Sequence, residues 1–287
     1  MILNRKIFGL FVLALFVSTY CSCSGAVKKE IKASEIIALL KKGKPVHLVN
    51  RIIIDDLDFS VASEPHIMNL NMLQSDIQSN IFFEHCVFMG KVTSNGKVEK
   101  TPVQSCFRKN LVFNGCDFRG EVDFSNAIVF GMVDFSRTTF REEVNFNNMA
   151  VWSKDSYFSE MKAEKRFSMV YASFSGNLYF FNAAFDGNAS FQETSAKGKL
   201  VFNNGVFKGR AGFDMMEVHG NAFFNYARFE KIADFSSSRF LSIVDFVNAS
   251  FEQNANFEKT TFMNTVNFDG VDKTHLRLED SKFNKFQ

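Results

Sequence analysis

The sequence predicts an all-β solenoid, a parallel β-helix with four sides, and three observations support this fold class. Phenylalanine recurs at steps of eleven residues over most of the second half of the chain. A second series lies between the members of the first, so large residues follow each other at gaps of five and six. The residue two positions before most of these phenylalanines is small or β-branched, which is the period of a strand with one face inward.

The first series defines the predicted core, because its phenylalanines should point inward and stack from coil to coil. Two units of eleven residues then make one coil. An eleven-residue period also fits three turns of an α-helix, but these segments are rich in Phe, Val, Asn, Ser, Thr and Gly, which form helices less readily than Ala or Leu. The predicted structural core consists of Phe124, Phe135, Phe146, Phe180, Phe191, Phe202, Phe213, Phe224, Phe235, Phe246, Phe257 and Phe268.

The repeat has local exceptions. The step from Phe146 to Phe158 is twelve residues, which predicts one inserted residue, and the stretch 153–167 is irregular. Ala196, Val218 and Lys273 stand where the second series would have phenylalanine. Ala127 precedes residue 129 by two positions, so Val129 rather than Phe130 should occupy the inward position.

Two stretches carry a family resemblance, "VDFSNAIVFGMVDFSRTTF" (122–140) and "ADFSSSRFLSIVDFVNASFEQNANF" (233–257). They resemble the pentapeptide-repeat family, in the Phe-centred variant with alternating five- and six-residue spacing. The resemblance is strong over 113–283 and weaker over 47–90. It implies a right-handed quadrilateral parallel β-helix, which agrees with the four-sided solenoid predicted from the spacing.

Residues 1–23 are predicted to be a signal sequence. Arg5 and Lys6 precede the apolar run "IFGLFVLALFV", which is too short for a comfortable membrane span. The stretch around Cys23 resembles the lipobox of bacterial lipoproteins, because the small Ser22 precedes that cysteine. The resemblance implies lipidation at Cys23, with Cys21 as the alternative residue and cleavage after Gly25 or Ala26 as the alternative process.

The remaining chain is predicted to comprise a linker with a capping helix (24–45) and a pentapeptide-repeat β-helix (46–287). The helix should occupy 28–42 and cover the N-terminal end of the solenoid. A loop insertion near 90–105 should project from an early coil, with a hairpin-type turn at "SNGK". At the other end, apolar side chains are expected to close the solenoid, namely Leu276, Leu278, Phe283 and Phe286.

Candidate chemical groups are few. Cys86 and Cys116 lie at small inward positions, where they are buried apolar residues or, in an oxidising compartment, a disulfide between adjacent coils. The Asp and Asn residues between inward positions recur on nearly every coil, which favours turn hydrogen bonds over an acid–base pair. We predict no catalytic residue, no cofactor-binding residue and no metal ligand. Tyr179 and Phe223 point outward, as a strip for a partner or as variation of the edge.

These observations favour a non-enzymatic exported protein, structural or protein-binding, and specifically a lipoprotein of the bacterial cell envelope, facing the periplasm or in the outer membrane. Its expected partners are an unidentified protein and, through the lipid anchor, a membrane. A soluble exported binding protein is one alternative. Another is a DNA mimic that inhibits a topoisomerase-type enzyme, but residues 111–287 contain 19 Lys and Arg against 22 Asp and Glu, a weak excess for a mimic. We therefore expect no nucleic-acid partner.

Overall fold

The computed structural model describes residues 28–69 and 71–286. Within them the chain winds into a parallel β-solenoid with four faces, numbered here in the order in which each coil visits them. Faces 1 and 2 are separate sheets of ten strands each. Faces 3 and 4 form one 21-stranded sheet, because the strand Thr261–Asn267 continues around the corner between them and pairs on both sides.

The strands of faces 1 and 2 are mostly two residues long. Face 1 comprises Lys29–Ile31, Arg51–Ile53, Val87–Phe88, Asp117–Phe118, Thr139–Phe140, Lys162–Ala163, Ala184–Phe185, Val206–Phe207, Arg228–Phe229 and Ser250–Phe251. Face 2 comprises Leu57–Asp58, Val92–Thr93, Val122–Asp123, Val144–Asn145, Phe167–Ser168, Ala189–Ser190, Ala211–Gly212, Ala233–Asp234, Ala255–Asn256 and Leu276–Arg277.

Faces 3 and 4 include longer strands at both ends of the solenoid. Face 3 comprises Met72–Ile77, Thr101–Phe107, Ile128–Val129, Ala150–Val151, Ser173–Phe174, Ser195–Ala196, Glu217–Val218, Arg239–Phe240, the start of Thr261–Asn267, and Lys282–Phe286. Face 4 comprises Val46–Val49, Ile81–Glu84, Leu111–Asn114, Val133–Asp134, Asp155–Tyr157, Asn177–Tyr179, Leu200–Val201, Ala222–Phe223, Val244–Asp245 and the end of Thr261–Asn267.

Stacked phenylalanine rings fill the solenoid. All twelve phenylalanines of the predicted core are buried. Within one column the rings are parallel, as in Phe224 and Phe246, whose centroids lie 4.8 Å apart at 9°. Rings of facing columns meet edge-on, as in Phe213 and Phe224, at 5.5 Å and 85°. Both geometries are favourable for aromatic pairs, so each phenylalanine is held by its own column and by the opposite one.

The corners after faces 2 and 4 depend on residues with positive φ. One such residue follows the large inward residue of each of these corners by two positions, and at most of them the next residue donates a backbone hydrogen bond to that inward residue, as Ala127 does to Phe124 at 3.1 Å. A positive φ at this place is typical of a type II turn. The series comprises Asn126, Arg137, Asn148, Glu160, Tyr171, Asn182, Glu193, Asn204, Met215, Tyr226, Ser237, Asn248 and Lys259.

Met215→Gly is expected to stabilise the protein at one of these corners. Met215 has a φ of 56°, a conformation that costs most residues with a side chain about 1 kcal/mol, and its side chain is 45% exposed. We expect the free energy of unfolding to rise by about 0.5–1 kcal/mol in urea titrations. Asn204→Gly is the matched control and should have a smaller effect, because asparagine tolerates this conformation. Equal effects of the two substitutions would contradict a specific cost at Met215.

The N-terminal end differs in detail from the prediction. The helix is shorter than 28–42: it begins at Ala33, ends at Lys41 and buries Ala33, Ile36 and Leu40 against the core. The residues before it are not helical, because Lys29–Ile31 pairs in parallel with Arg51–Ile53 as the first strand of face 1. The solenoid therefore begins before residue 46, the predicted boundary. The helix packs at the N-terminal end of the solenoid, as expected.

The insertion near 90–105 is a β-hairpin, but its turn lies elsewhere than predicted. Asn95–Val98 pairs antiparallel with Thr101–Phe107, so Asn95 and Gly96 belong to a strand and the turn is at Glu99 and Lys100. Gly96 is packed against Ser60, whose hydroxyl lies where a side chain at position 96 would be. The glycine thus permits close packing and does not form the turn. A second hairpin, His66–Asn69 with Met72–Ile77, lies beside the first.

The other exceptions to the repeat lie as predicted. Val129 is buried while Phe130 is 44% exposed. The pairings of Val129 with Val151 and of Val133 with Ser156 place the inserted residue between 151 and 156. Ala196 and Val218 are buried in the core. At Lys273 the chain leaves face 1 for a 3₁₀ turn, Lys273–His275, while Leu276, Leu278 and Phe283 pack against the last coils.

Candidate interaction surfaces

Outward Asp and Asn residues support the corners. Asp123 accepts a hydrogen bond from the backbone N–H of Ser125, two residues on, at 3.0 Å. Such bonds satisfy backbone N–H donors in turns. This confirms the prediction that the recurring Asp and Asn residues form turn hydrogen bonds. The same bond is made by Asp134, Asn145, Asp234, Asn256 and Asn267.

Face 1 carries paired charges. Arg141 lies 2.7 Å from Asp117, and Asp186 lies between Lys162 at 3.1 Å and Lys208 at 2.7 Å. The hydrogen bond from Lys208 is the main reason that the pKa of Asp186 is lowered. Since charges of both signs are mixed along this face, it has no extended field of one sign.

Face 4 carries a run of apolar side chains, which we call the face 4 strip: Tyr157, Tyr179, Phe181, Val201 and Phe223. Pairing between coils places four of them in one outward column. The rings of Tyr157 and Tyr179 stack at 5.3 Å and 10°, and Phe181 beside them is 41% exposed. Burial raises the pKa of both tyrosine hydroxyls, so they are neutral at physiological pH.

Turn-supporting residues precede and follow the face 4 strip in its column. Asp134 precedes the strip in that column and Asp245 follows it, and both accept the turn hydrogen bond. Tyr157, Tyr179, Val201 and Phe223 cannot accept it, because their side chains lack a suitably placed acceptor. The four coils of the strip therefore lack this interaction, as do the earlier coils of the same column at Phe82 and Val112. Beside Phe223 the turn donor is satisfied from the preceding coil instead, because the backbone N–H of Asn225 donates to Asn203 Oδ1 at 3.0 Å.

The described cysteines are buried free thiols. Glu84 pairs with Asn114 and Val87 with Asp117, so Cys86 and Cys116 lie one above the other on adjacent coils, and the disulfide between them stays a prediction. Burial raises the pKa of the Cys116 thiol and raises that of Cys106 to about 12. Both are therefore poor nucleophiles at neutral pH. His85 is exposed on the outer side of the corner beside Cys86.

Concave regions of the described surface are shallow and open. One, of about 460 Å³, is at the C-terminal end around Gly270. Another, of about 310 Å³, lies on face 2, where Gly212 provides no outward side chain. Two of the charges around this second hollow are paired, since Arg210 lies 3.4 Å from Asp234. Within 28–69 and 71–286, no group of three or more His, Cys, Asp or Glu residues could hold a metal ion.

The fold thus places Tyr179 and Phe223, the two outward aromatic residues named from the sequence, in one column. Cys23 and the alternative Cys21, the predicted lipidation residues, lie outside the described residues. No helix in the described ranges has the length and hydropathy needed to span a membrane. The sequence did not single out Trp152, which is 60% exposed on face 3. The sequence feature that could have drawn attention to Trp152 was the twelve-residue step from Phe146 to Phe158, which contains it.

Comparison with protein families gives one match. A family model described as pentapeptide repeats, with nine copies, matches residues 107–149 and 224–272. The coils continue between these two segments, and that intervening stretch contains Trp152 and the whole face 4 strip. No curated protein and no solved structure shows a significant match.

Proposed function

The chain is a pentapeptide-repeat protein, and we propose that it is a non-enzymatic interaction protein, exported and attached to the bacterial cell envelope by a lipid on Cys23. Its solenoid would bind another envelope protein through face 4. The observation that carries the binding role is the face 4 strip, where four consecutive coils place aromatic or aliphatic side chains in one outward column beside the exposed Phe181.

Two properties of the face 4 strip suit a protein partner. Aromatic side chains are enriched in the centres of protein interfaces, and the column rises over three coil spacings, about 14 Å. Asn203 and Asn225 lie beside it on the following outward positions, so the strip has a polar border. The strip would thus form the centre of an interface rather than the whole of it, since stable interfaces bury about 800 Å² per partner.

Export and anchoring are supported by the sequence before the solenoid. Arg5 and Lys6 precede the apolar run, and Ser22 precedes Cys23. A protein held outside the cytoplasm would not meet DNA, and the mixed charges of face 1 do not resemble the phosphate backbone. These features support a protein partner over a nucleic-acid enzyme.

Site-specific photocrosslinking in envelope preparations tests the binding role. p-Benzoylphenylalanine in place of Tyr179 is expected to capture a discrete partner, because the residue lies within the face 4 strip. The matched control is the same replacement of Val206, which is also outward and half-buried but lies on face 1. Capture at both positions alike, or at neither, would rule out face 4 as the binding surface.

Metabolic labelling with palmitate tests the anchor separately. We expect label on the wild-type protein and on Cys21→Ala, and none on Cys23→Ala. Label lost only in Cys21→Ala would assign the lipid to the alternative cysteine. A wild-type protein that is exported without label would favour the soluble alternative, while leaving the face 4 proposal intact.

A further inference from the structure

Trp152 is the single tryptophan of the chain and projects from face 3 immediately before the inserted residue. It belongs to an outward column in which Arg108 and Phe130 precede it and Ser175 and Lys197 follow it. This order follows from the pairing of Phe107 with Val129, Val129 with Val151, Val151 with Phe174, and Phe174 with Ala196. The two faces of the indole ring therefore meet very different neighbours.

A stack of side chains holds the ring from the N-terminal side. The centroids of Phe130 and Trp152 lie 6.3 Å apart with planes at 14°. The guanidinium group of Arg108 lies 4.9 Å from the centroid of Phe130, and its Nε donates a hydrogen bond to Asp76 at 2.9 Å. Because the stack starts from an ion pair and an aromatic ring, the indole orientation is fixed before any ligand arrives.

The opposite ring face is open. Ser175, whose backbone N–H donates to the carbonyl of Val151 at 2.9 Å, lies above Trp152 and has too short a side chain to cover an indole. Ser173 is exposed beside it, Ser195 is half-buried on the next coil, and Lys197 is exposed. We call Trp152, Ser173, Ser175, Ser195 and Lys197 the Trp152 shelf. It combines one flat apolar surface with hydroxyl and ammonium donors on one side.

This combination specifies the ligand chemistry. A pyranose ring with equatorial substituents has a flat face of axial C–H groups, which can stack on an indole, and a rim of hydroxyls, which can bond to serine and lysine. An apolar peptide side chain could stack on the indole but would form no hydrogen bonds with the serine and lysine side chains of the Trp152 shelf. We propose that the Trp152 shelf binds one sugar ring of a β-linked glycan with equatorial substituents. This binding requires neither the lipid anchor nor the face 4 strip.

The single tryptophan supplies the readout. Titration of the chain with chitohexaose or cellohexaose is expected to change indole emission, with a dissociation constant of about 0.1–10 mM for so small a contact. Maltohexaose, whose α-linkages do not present the same flat face, should bind at least about threefold more weakly. No change in emission, or equal binding of all three sugars, would overturn the proposal.

Two variants establish the position of the site, with calorimetry as the measure of affinity. Trp152→Ala and Ser175→Leu are each expected to weaken binding at least about tenfold, the second because leucine would cover the indole while Trp152 remains. Tyr226→Ala is the control, since Tyr226 is 61% exposed at a different corner, and should bind like the wild type. Unchanged affinity in Ser175→Leu would overturn the proposal. So would an emission change that depends on protein concentration without sugar, because a second copy would then occupy the Trp152 shelf.

Discussion

Phe224→Asp is expected to prevent the solenoid from folding. Phe224 is buried between Phe202, at 5.5 Å, and Phe246, at 4.8 Å. Removing a buried phenylalanine costs about 3–5 kcal/mol, and burying a carboxyl group without a partner costs several more. A typical folded domain is stable by only about 5–15 kcal/mol, so the sum consumes most or all of that margin.

The neighbouring residue provides a matched control. Phe223 is the last residue of the strand Ala222–Phe223 and directly precedes Phe224, but it points outward and is half-buried, so Phe223→Asp should remain folded and cost less than about 1.5 kcal/mol. Far-UV circular dichroism and urea unfolding of the two variants measure the difference. A well-folded Phe224→Asp protein would contradict the inward assignment of the whole column.

Phe224→Leu keeps the position measurable if the aspartate variant yields no soluble protein. Leucine is apolar but smaller and cannot stack, so we expect a folded protein that is less stable by about 1–3 kcal/mol. The same substitution at Phe223 should have a smaller effect. If the two leucine variants lost equal stability, ring stacking inside the solenoid would not be the main contribution of Phe224.

The interior could be predicted from the sequence because a solenoid repeats one packing environment. Phe213, Phe224 and Phe235 meet nearly identical neighbours on successive half-coils, so the same residue type recurs at a fixed step. Because the coils stack at this fixed step, the step alone predicts which residues of adjacent coils lie side by side. The identity of the inward residue at an exception such as Val129 then followed from the position of Ala127.

The N-terminal region was less predictable because local signals there compete with packing. Lys29–Ile31 continues a helical pattern in the sequence but pairs as a strand with Arg51–Ile53. Asn95 and Gly96 have the composition of a hairpin turn, yet Gly96 is required where the strand packs closely on Ser60. In both cases a tertiary contact, invisible in the local sequence, decides the conformation.

The outward surfaces required the coil register as well as the repeat. Tyr157 lies beside Asp134, 23 residues earlier, because the coil between them contains the inserted residue. Likewise, the stack of Arg108, Phe130 and Trp152 joins residues that are distant in sequence. The sequence indicated where the repeat fails, but only the assembled coils show which side chains gather there.

Deletion of residues 200–210 is expected to leave a folded solenoid, whereas deletion of residues 206–210 is not. The first deletion removes one eleven-residue unit, so Ala211 takes the inward place of Leu200 and Phe213 that of Phe202. The second joins Gly205 to Ala211, which moves Phe213 to the outward place of Lys208. Every later coil would then present phenylalanine to water, and the coils after residue 205 should unfold. Limited proteolysis and the amplitude of far-UV circular dichroism distinguish the two outcomes.

The same pair of deletions separates the fold from the face 4 strip. Removing half a coil turns the later residues by two faces, so Gly212 would follow Tyr179 in the outward column and Phe223 would move to face 2. Deletion of 200–210 should therefore keep cooperative unfolding, since repeat stability depends on contacts between adjacent coils, but it should lose the crosslink formed at position 179. Retention of that crosslink would mean that the partner does not need the intact strip. Equal folding of both deletions would mean that the eleven-residue unit does not determine the core.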